Sequence, residues 1–270
     1  MASLDQVERV HPAPYPVRIL EAEPASGFRQ LDPDTALSPG SGEAALRGAG
    51  AACAAVDALL AGEAKRAFIA MRPPGHHAEP DRPMGFCLFN TVAVGAMQAR
   101  HAHGLGRIAI FDFDVHHGNG TQASFWEDPE TLYLSIHQMP LYPGTGAADE
   151  SGTFGNIVNA PCPPGMSSAA WRRLVESRIL PRIDLFRPQL MMVSAGFDAH
   201  MADPLAQLRL EEADFAWVTQ QIVALAERHA EGRVIAVLEG GYDPPALARS
   251  VLAHLEALAG EPTGNPIGKP

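Results

Sequence analysis

The sequence predicts an α/β fold: one central, mainly parallel sheet with helices on both faces. Five short apolar runs of strand length alternate with helical stretches. Their continuous apolar character suits strands covered on both sides. Four of the five lead directly into a polar or Gly-rich cluster, and ligands in such sheets bind beyond the carboxyl ends of the strands. The chemistry is therefore expected along one edge of one sheet.

Residues 1–42 are proline-rich and weakly periodic, so mostly loop with a short helix or strand is expected. An Ala-rich helix follows over Glu43–Ala61, closing at Gly62, with small residues suited to close packing. Ala67–Met71 reads as a buried strand running into the rigid turn Arg72-Pro73-Pro74-Gly75. A helix over Asn90–His103 precedes the strand that starts at Ile108, and Thr131–His137 is the next strand. Met139–Pro164 reads as a long Gly/Pro/Ser-rich loop of the functional kind. A helix with Trp171, Leu174, Val175 and Ile179 on one side leads to the strand Leu190–Gly196. A helix from about Glu211 to Arg228, a strand over Val234–Leu238 and a helix over Pro245–Ala259 complete the pattern.

At 270 residues and 46% hydrophobic content, the chain can bury a full core. No repeat or linker divides it, so one domain over 1–270 is expected. Its segment 1–30 is irregular and 260–270 is a loose tail. A net charge of −11 argues against a nucleic-acid-binding surface. Cys53, Cys87 and Cys162 leave one thiol unpaired and lack metal-like spacing, which fits a reduced, cytoplasmic setting. Met1–Val10 has no signal-peptide core, and no run approaches the roughly 20 apolar residues of a membrane span.

The run from Ile108 to Gly120 starts as an apolar strand and ends in carboxylates and imidazoles. If the extended geometry carries through, Asp112, Asp114 and His116 share one face, with Phe113 and Val115 on the other. Two carboxylates and one imidazole aimed together form a metal site awaiting a further ligand. Acids that merely cap the following turn are the plainer alternative. The missing ligand falls within Ser194–Pro204, where Asp198, His200 and Asp203 all qualify and spacing does not choose. Three protein ligands leave zinc an open position for water, although such a set also accepts Fe²⁺ or Mn²⁺. The pair His76-His77, on a Gly-containing turn, suits general base and acid work. Asp112 and Asn119 are natural partners for their second nitrogens. Tyr242, after Gly240-Gly241, is placed to donate to a developing oxyanion, against the simpler reading of a core tyrosine.

Six motifs in order carry a family resemblance: RPPGHHA at 72–78, GFCLFN at 85–90, DFDVHHGNGT at 112–121, YPGTG at 142–146, SAGFDAHMADP at 194–204 and LEGGYD at 238–243. Over about residues 30–255 the chain resembles the zinc-dependent histone deacetylase superfamily, which includes acetoin-utilisation proteins and acetylpolyamine amidohydrolases. Its flavour is bacterial class II-like. The resemblance implies the arginase/deacetylase α/β fold, with a parallel sheet of about eight strands. It also implies zinc on Asp114, His116 and Asp203, with His76 and His77 as base and acid. Asp112 then stands behind His76, and Asn119 behind His77 where class I relatives have Asp. Tyr242 matches the tyrosine that polarises the scissile carbonyl.

Phe86 and Tyr142, with Gly85 and Gly241, would line a narrow acyl-lysine tunnel. Leu210 would be its gatekeeper, and Asp34 a rim residue on the substrate backbone. One structural potassium would sit at Asp112, Asp114, His116, Ser135 and Ile136. A second would sit at Phe125, Asp128, Thr131 and Asn156. Relatives usually begin with an extra strand and a His-Pro-Glu-type segment that Met1–Val10 does not supply. That leaves the sheet edge, and any oligomerisation through it, open.

The implied reaction is hydrolysis of an N-acetyl-lysine amide, in protein or peptide, to acetate and free amine. The first alternative is an acetylpolyamine or other small-amide deacetylase; apolar Leu210 argues against a polyamine cation, while Glu79 or Asp81 would favour one. A binuclear manganese ureohydrolase of the same fold lacks the needed Asp after His116. A non-catalytic acyl-lysine-binding protein leaves the intact site unexplained.

Overall fold

A computed structural model describes residues 1–260. Two short helices, α1 (Leu4–Glu8) and α2 (Tyr15–Glu21), precede a two-residue hairpin of β1 (Arg29–Gln30) and β2 (Ala36–Leu37). The remainder runs α3 (Ser41–Leu60), β3 (Arg66–Ile69), α4 (Thr91–His103), β4 (Ile108–Asp112), α5 (Asn119–Phe125), β5 (Thr131–Gln138) and β6 (Ile157–Cys162). Then come α6 (Ser168–Leu174), α7 (Leu180–Phe186) joined to it by a π-helical segment Val175–Ile179, β7 (Leu190–Ala195), α8 (Glu212–His229), β8 (Val234–Leu238) and α9 (Pro244–Ala259). The tail expected from residue 261 onward lies outside the described residues.

The central sheet has six strands in the order β3-β8-β7-β4-β5-β6, all parallel. Six replaces the expected number of about eight among the described residues. The strand absent from the sequence reading is β6, inside the segment taken for loop. Asn159 and Pro161 hide it, since Pro is tolerated only on an edge strand such as this one.

Side chains of β4 alternate between two cores. Ile108 and Ile110 pack with α3 and α4, whereas Ala109 and Phe111 pack with α6, α7 and α8. The first core is built from small residues: a Cβ on Gly95 of α4 would meet Met192 Cε at 2.7 Å and Ala52 Cβ of α3 at 3.1 Å. The second is aromatic, with Trp171, Phe113, Phe197 and Phe215 buried together. From β4 the chain moves one way to β5 and β6, then returns to β7 on the other side. The topological switch point therefore lies between β4 and β7, where a crevice opens beyond the strand ends.

Candidate active site

β4 stops at Asp112, and the extended geometry stops with it. Carboxylates then capture the backbone donors. Asp114 N–H donates to Asp112 Oδ1 at 3.1 Å and His116 N–H to Asp114 Oδ1 at 2.9 Å. Val115 N–H donates to Asp198 Oδ1 at 2.9 Å. Thus Asp114 and His116 face the switch point through successive turns of the backbone, not through strand alternation. Asp198 reaches the same point from the loop after β7.

Asp114, His116 and Asp198, all buried, each offer a ligand atom within 4.8 Å of the others. His116 Nδ1 is 3.2 Å from Asp114 Oδ1 and 3.1 Å from Asp198 Oδ2. Two carboxylates and one imidazole are ligand types that zinc accepts, so these residues suit it. Asp203, the third ligand expected from the resemblance, lies close enough to Asp114 and His116 to feel their charges; its Oδ1 accepts from Leu205 N–H at 3.0 Å and its Oδ2 from Tyr242 N–H at 2.8 Å. Such bonds leave a carboxylate able to bind a metal, since Asp114 likewise accepts from His116 N–H and Gly240 N–H. His200 is engaged elsewhere, its Nδ1 accepting from Ala202 N–H and its Nε2 facing Glu212.

The surroundings demand positive charge. Asp112, Asp114, Asp198 and Glu239 are fully buried, and their hydrogen-bond partners are backbone N–H groups, hydroxyls and imidazoles, with no Lys or Arg. Burial raises Asp198 to about 6 and Glu239 to about 7. Burial lowers His116, but the hydrogen bonds and charges of Asp114 and Asp198 outweigh it and lift the imidazole to about 10. Two glycines keep the cradle open: a Cβ on Gly196 would lie 2.0 Å from Asp114 Oδ2, and one on Gly240 2.0 Å from Asp198 Oδ2.

The histidine pair stands on the turn after β3. Glu239, at the end of β8, holds that turn by accepting Gly75 N–H at 2.6 Å and His76 N–H at 3.2 Å, while Ser194 Oγ donates to its other oxygen. His76 Nδ1 lies 3.0 Å from Asp112 Oδ2, which also accepts from Tyr133 Oη. His77 Nδ1 lies 2.8 Å from Asn119 Oδ1. Burial lowers His76, yet the charges of Asp112, Asp114 and Glu239 raise it well above its ordinary value. Burial and the neighbouring His76 charge push His77 well below.

A cavity of about 280 Å³ opens above this floor, lined by Asp34, His77, Gly85, Phe86, His116, Leu141, Tyr142, Leu205 and Tyr242. Phe86 holds a left-handed φ of 66°, strained for a bulky residue. Asp34 Oδ1 accepts Gly85 N–H at 3.0 Å and Thr35 Oγ1 accepts Phe86 N–H at 3.1 Å, which fixes that step. Gly85 lies against the His77 ring, where a Cβ would approach to 2.3 Å. The Arg72 guanidinium stands 5.9 Å over the Tyr242 ring, and burial raises the Tyr242 phenol above its usual range.

Two expected cavity residues are not in its lining. Leu210 is completely buried and bonded to Ala199 through its backbone, and the leucines that line the cavity are Leu141 and Leu205. Gly241 does not line the cavity; its carbonyl accepts from Arg72. For the first potassium set, Asp112 and Ser135 are register partners on β4 and β5. In the second set, the Asn156 amide donates to the Phe125 and Thr131 carbonyls at 2.7 Å and 3.2 Å, while Asp128 bonds the Thr131 hydroxyl. Glu239, Leu141 and Leu205 were missed in the sequence; an acid ending an apolar strand, as Glu239 does, was the available signal.

The histone deacetylase domain model matches residues 1–258, and the chain belongs to the histone deacetylase family. It is 43% identical over 263 residues to a histone deacetylase-like amidohydrolase of Pseudomonas aeruginosa, covering 96% of this chain and 69% of that protein. A probable deacetylase of Archaeoglobus fulgidus is also 43% identical, with 96% and 72% covered. The solved HD domain of HDA15 superposes with a TM-score of 0.91 at 34% identity, covering 98% of this chain and 75% of that one. The α/β deacetylase fold and the family resemblance both hold. Among the described residues, no helix is long and apolar enough to cross a membrane.

Proposed function

We propose that the protein is a zinc-dependent amidohydrolase that cleaves the acetyl or a related acyl group from N-acyl-lysine side chains, releasing the carboxylate and the free amine. One observation carries this reading: a cation-demanding cluster, a neutral imidazole and a tyrosine converge on one cavity. Asp114, His116 and Asp203, the set the family resemblance implies, would hold the metal, with Asp198 beside His116 as the alternative third carboxylate; when bound, the metal polarises the acyl carbonyl and lowers the pKa of a water.

The protein's own groups supply the rest. His77, neutral and with Nδ1 engaged by Asn119, takes a proton from the attacking water at Nε2 and later passes it to the leaving amine. His76 keeps its positive charge on Asp112 and offsets the negative charge of the tetrahedral species. Tyr242, protonated at all relevant pH, donates to the oxyanion; Asp203 and Arg72 set its position. Phe86, Leu141, Tyr142 and Leu205 receive the apolar lysine stem, and Asp34 at the mouth accepts from the substrate backbone.

The reading includes one structural potassium at Asp112, Asp114, His116, Ser135 and Ile136, and a second at Phe125, Asp128, Thr131 and Asn156. Three buried free thiols support a reducing, cytoplasmic setting. The test is acetate release from an acetyl-lysine peptide and from an N-acetylpolyamine by zinc-loaded protein. Peptide turnover abolished by a chelator is expected. Preference for the polyamine would change the substrate, and no turnover of any acyl-lysine with zinc bound would remove the function.

A further inference from the structure

Behind His77 stands a charged group that the mechanism above does not use. Glu79 follows His77 by two residues on the same turn, and its Oε1 accepts from Asn119 Nδ2 at 2.7 Å. Asn119 Oδ1 in turn faces His77 Nδ1 at 2.8 Å. Asn119 and His77 are buried, while Glu79 is only partly covered. We propose that Glu79 is a positioning residue that locks the Asn119 amide and thereby fixes the tautomer of His77. The inference rests on His77 acting as the base.

The argument is one of donors and acceptors. An asparagine amide has two N–H donors at one end and an acceptor at the other, and the two ends have nearly the same shape. Beside an imidazole either end can form one hydrogen bond. With Oδ1 toward the ring, Nδ1 must carry the proton and Nε2 keeps its lone pair. With the NH₂ end toward the ring, Nδ1 is bare and Nε2 is protonated. Only the first state can accept a proton from water at Nε2.

An ionised carboxylate is acceptor-only, so Glu79 binds only the NH₂ end. A flipped amide would set Asn119 Oδ1 against Glu79 Oε1, two acceptors without a proton between them. Met84 Sδ, a weak acceptor 3.2 Å from Asn119 Nδ2, favours the same orientation. Glu79 is itself held: Arg82 donates to Oε1 at 3.0 Å, Glu79 N–H donates to the Arg82 carbonyl, and His11 Nδ1 lies 3.1 Å from the Glu79 carbonyl. His76 needs no such third member, because its partner Asp112 already lacks donors.

The test uses zinc-loaded protein with ¹⁵N-labelled histidine, the His77 signals being identified by their loss in His77→Ala. Wild type is expected to show His77 protonated at Nδ1. In Glu79→Ala the Nε2-protonated form should appear, and kcat on an acetyl-lysine peptide should fall about 10- to 100-fold with KM within about twofold. Glu79→Gln, which can still present an acceptor oxygen, should recover most of both. In an Asn119→Asp background the aspartate holds the Nδ1 proton unaided, so adding Glu79→Ala should neither release the Nε2-protonated form nor lower kcat. An unchanged tautomer in Glu79→Ala would overturn the proposal, as would an equal kcat loss in the Asn119→Asp background. If no protein turns over any acyl-lysine substrate, the proposed function fails, and the tautomer spectra still decide the role of Glu79.

Discussion

His76 and His77 are adjacent, lie tilted against each other with ring centroids 4.0 Å apart and are both buried, yet they stand in opposite surroundings. On the His76 side lie Asp112, Asp114 and Glu239, and the imidazole is raised despite its burial. On the His77 side the direct partner is an amide, and burial together with the His76 charge lowers it. One turn thus pushes its two imidazoles in opposite directions. The groups behind each ring, more than the residue type, assign its role.

The largest expected effect comes from removing the centre that demands charge. Asp203→Ala should lose zinc on dialysis, and turnover should drop about 10³-fold, the equivalent of several kcal/mol of electrostatic stabilisation. Asp198→Ala should retain zinc and lose rate only through a displaced His116. Metal analysis decides, and stoichiometric zinc in Asp203→Ala would move the ligand role to Asp198. Next in size, Tyr242→Phe should lower kcat about 10²- to 10³-fold with zinc retained, the cost of one oxyanion donor. Wild-type turnover in that variant would sink the assigned mechanism.

Asn119→Asp makes the two sides alike. A carboxylate on His77 favours its protonated form, so base activity should fade at a higher pH than in wild type. A loss of about 10-fold in kcat/KM is expected at mildly acidic pH, with little change in alkaline solution. A pH profile superposing on wild type would show that the amide is not what separates the two imidazoles.

The smallest effect belongs to a histidine with no carboxylate at all. His254 is buried among Phe68, Phe113 and Phe197, its Nε2 has no partner among the described residues, and burial lowers it from 6.5 to about 4. Because the unfolded chain binds that proton more readily, its contribution to stability is complete above pH 6.5. It is lost as pH falls toward 4, at up to about 1.4 kcal/mol per pH unit. His254→Phe should keep or raise stability at pH 7 and flatten the acid slope by one proton. Denaturant titrations between pH 4 and 7 check this, and an unchanged slope would contradict it.

Much of this was legible in the chain. Apolar runs leading into Arg72-Pro73-Pro74-Gly75, Asp112, Gly196 and Glu239 announced a sheet with its polar groups at one edge, and the strand boundaries followed to within about two residues. β6 was not legible, because Pro161 and Asn159 break its pattern and only its place beside β5 makes it a strand. Asp198 and Asp203 could not be separated by spacing either. Both are acids near a strand end, and the resemblance pointed to the one before proline.

By itself the sequence determined the α/β layering, the family and the set of chemical groups, because hydrophobic period and motif order are local properties of a chain. The tertiary structure alone decided which carboxylates gather around His116 and which leucine lines the cavity. It also decided the opposite directions in which two adjacent histidines are pushed. Those outcomes depend on distances between β4, β7 and β8, elements far apart in sequence. They depend equally on burial, which multiplies the effect of every nearby charge once water is excluded.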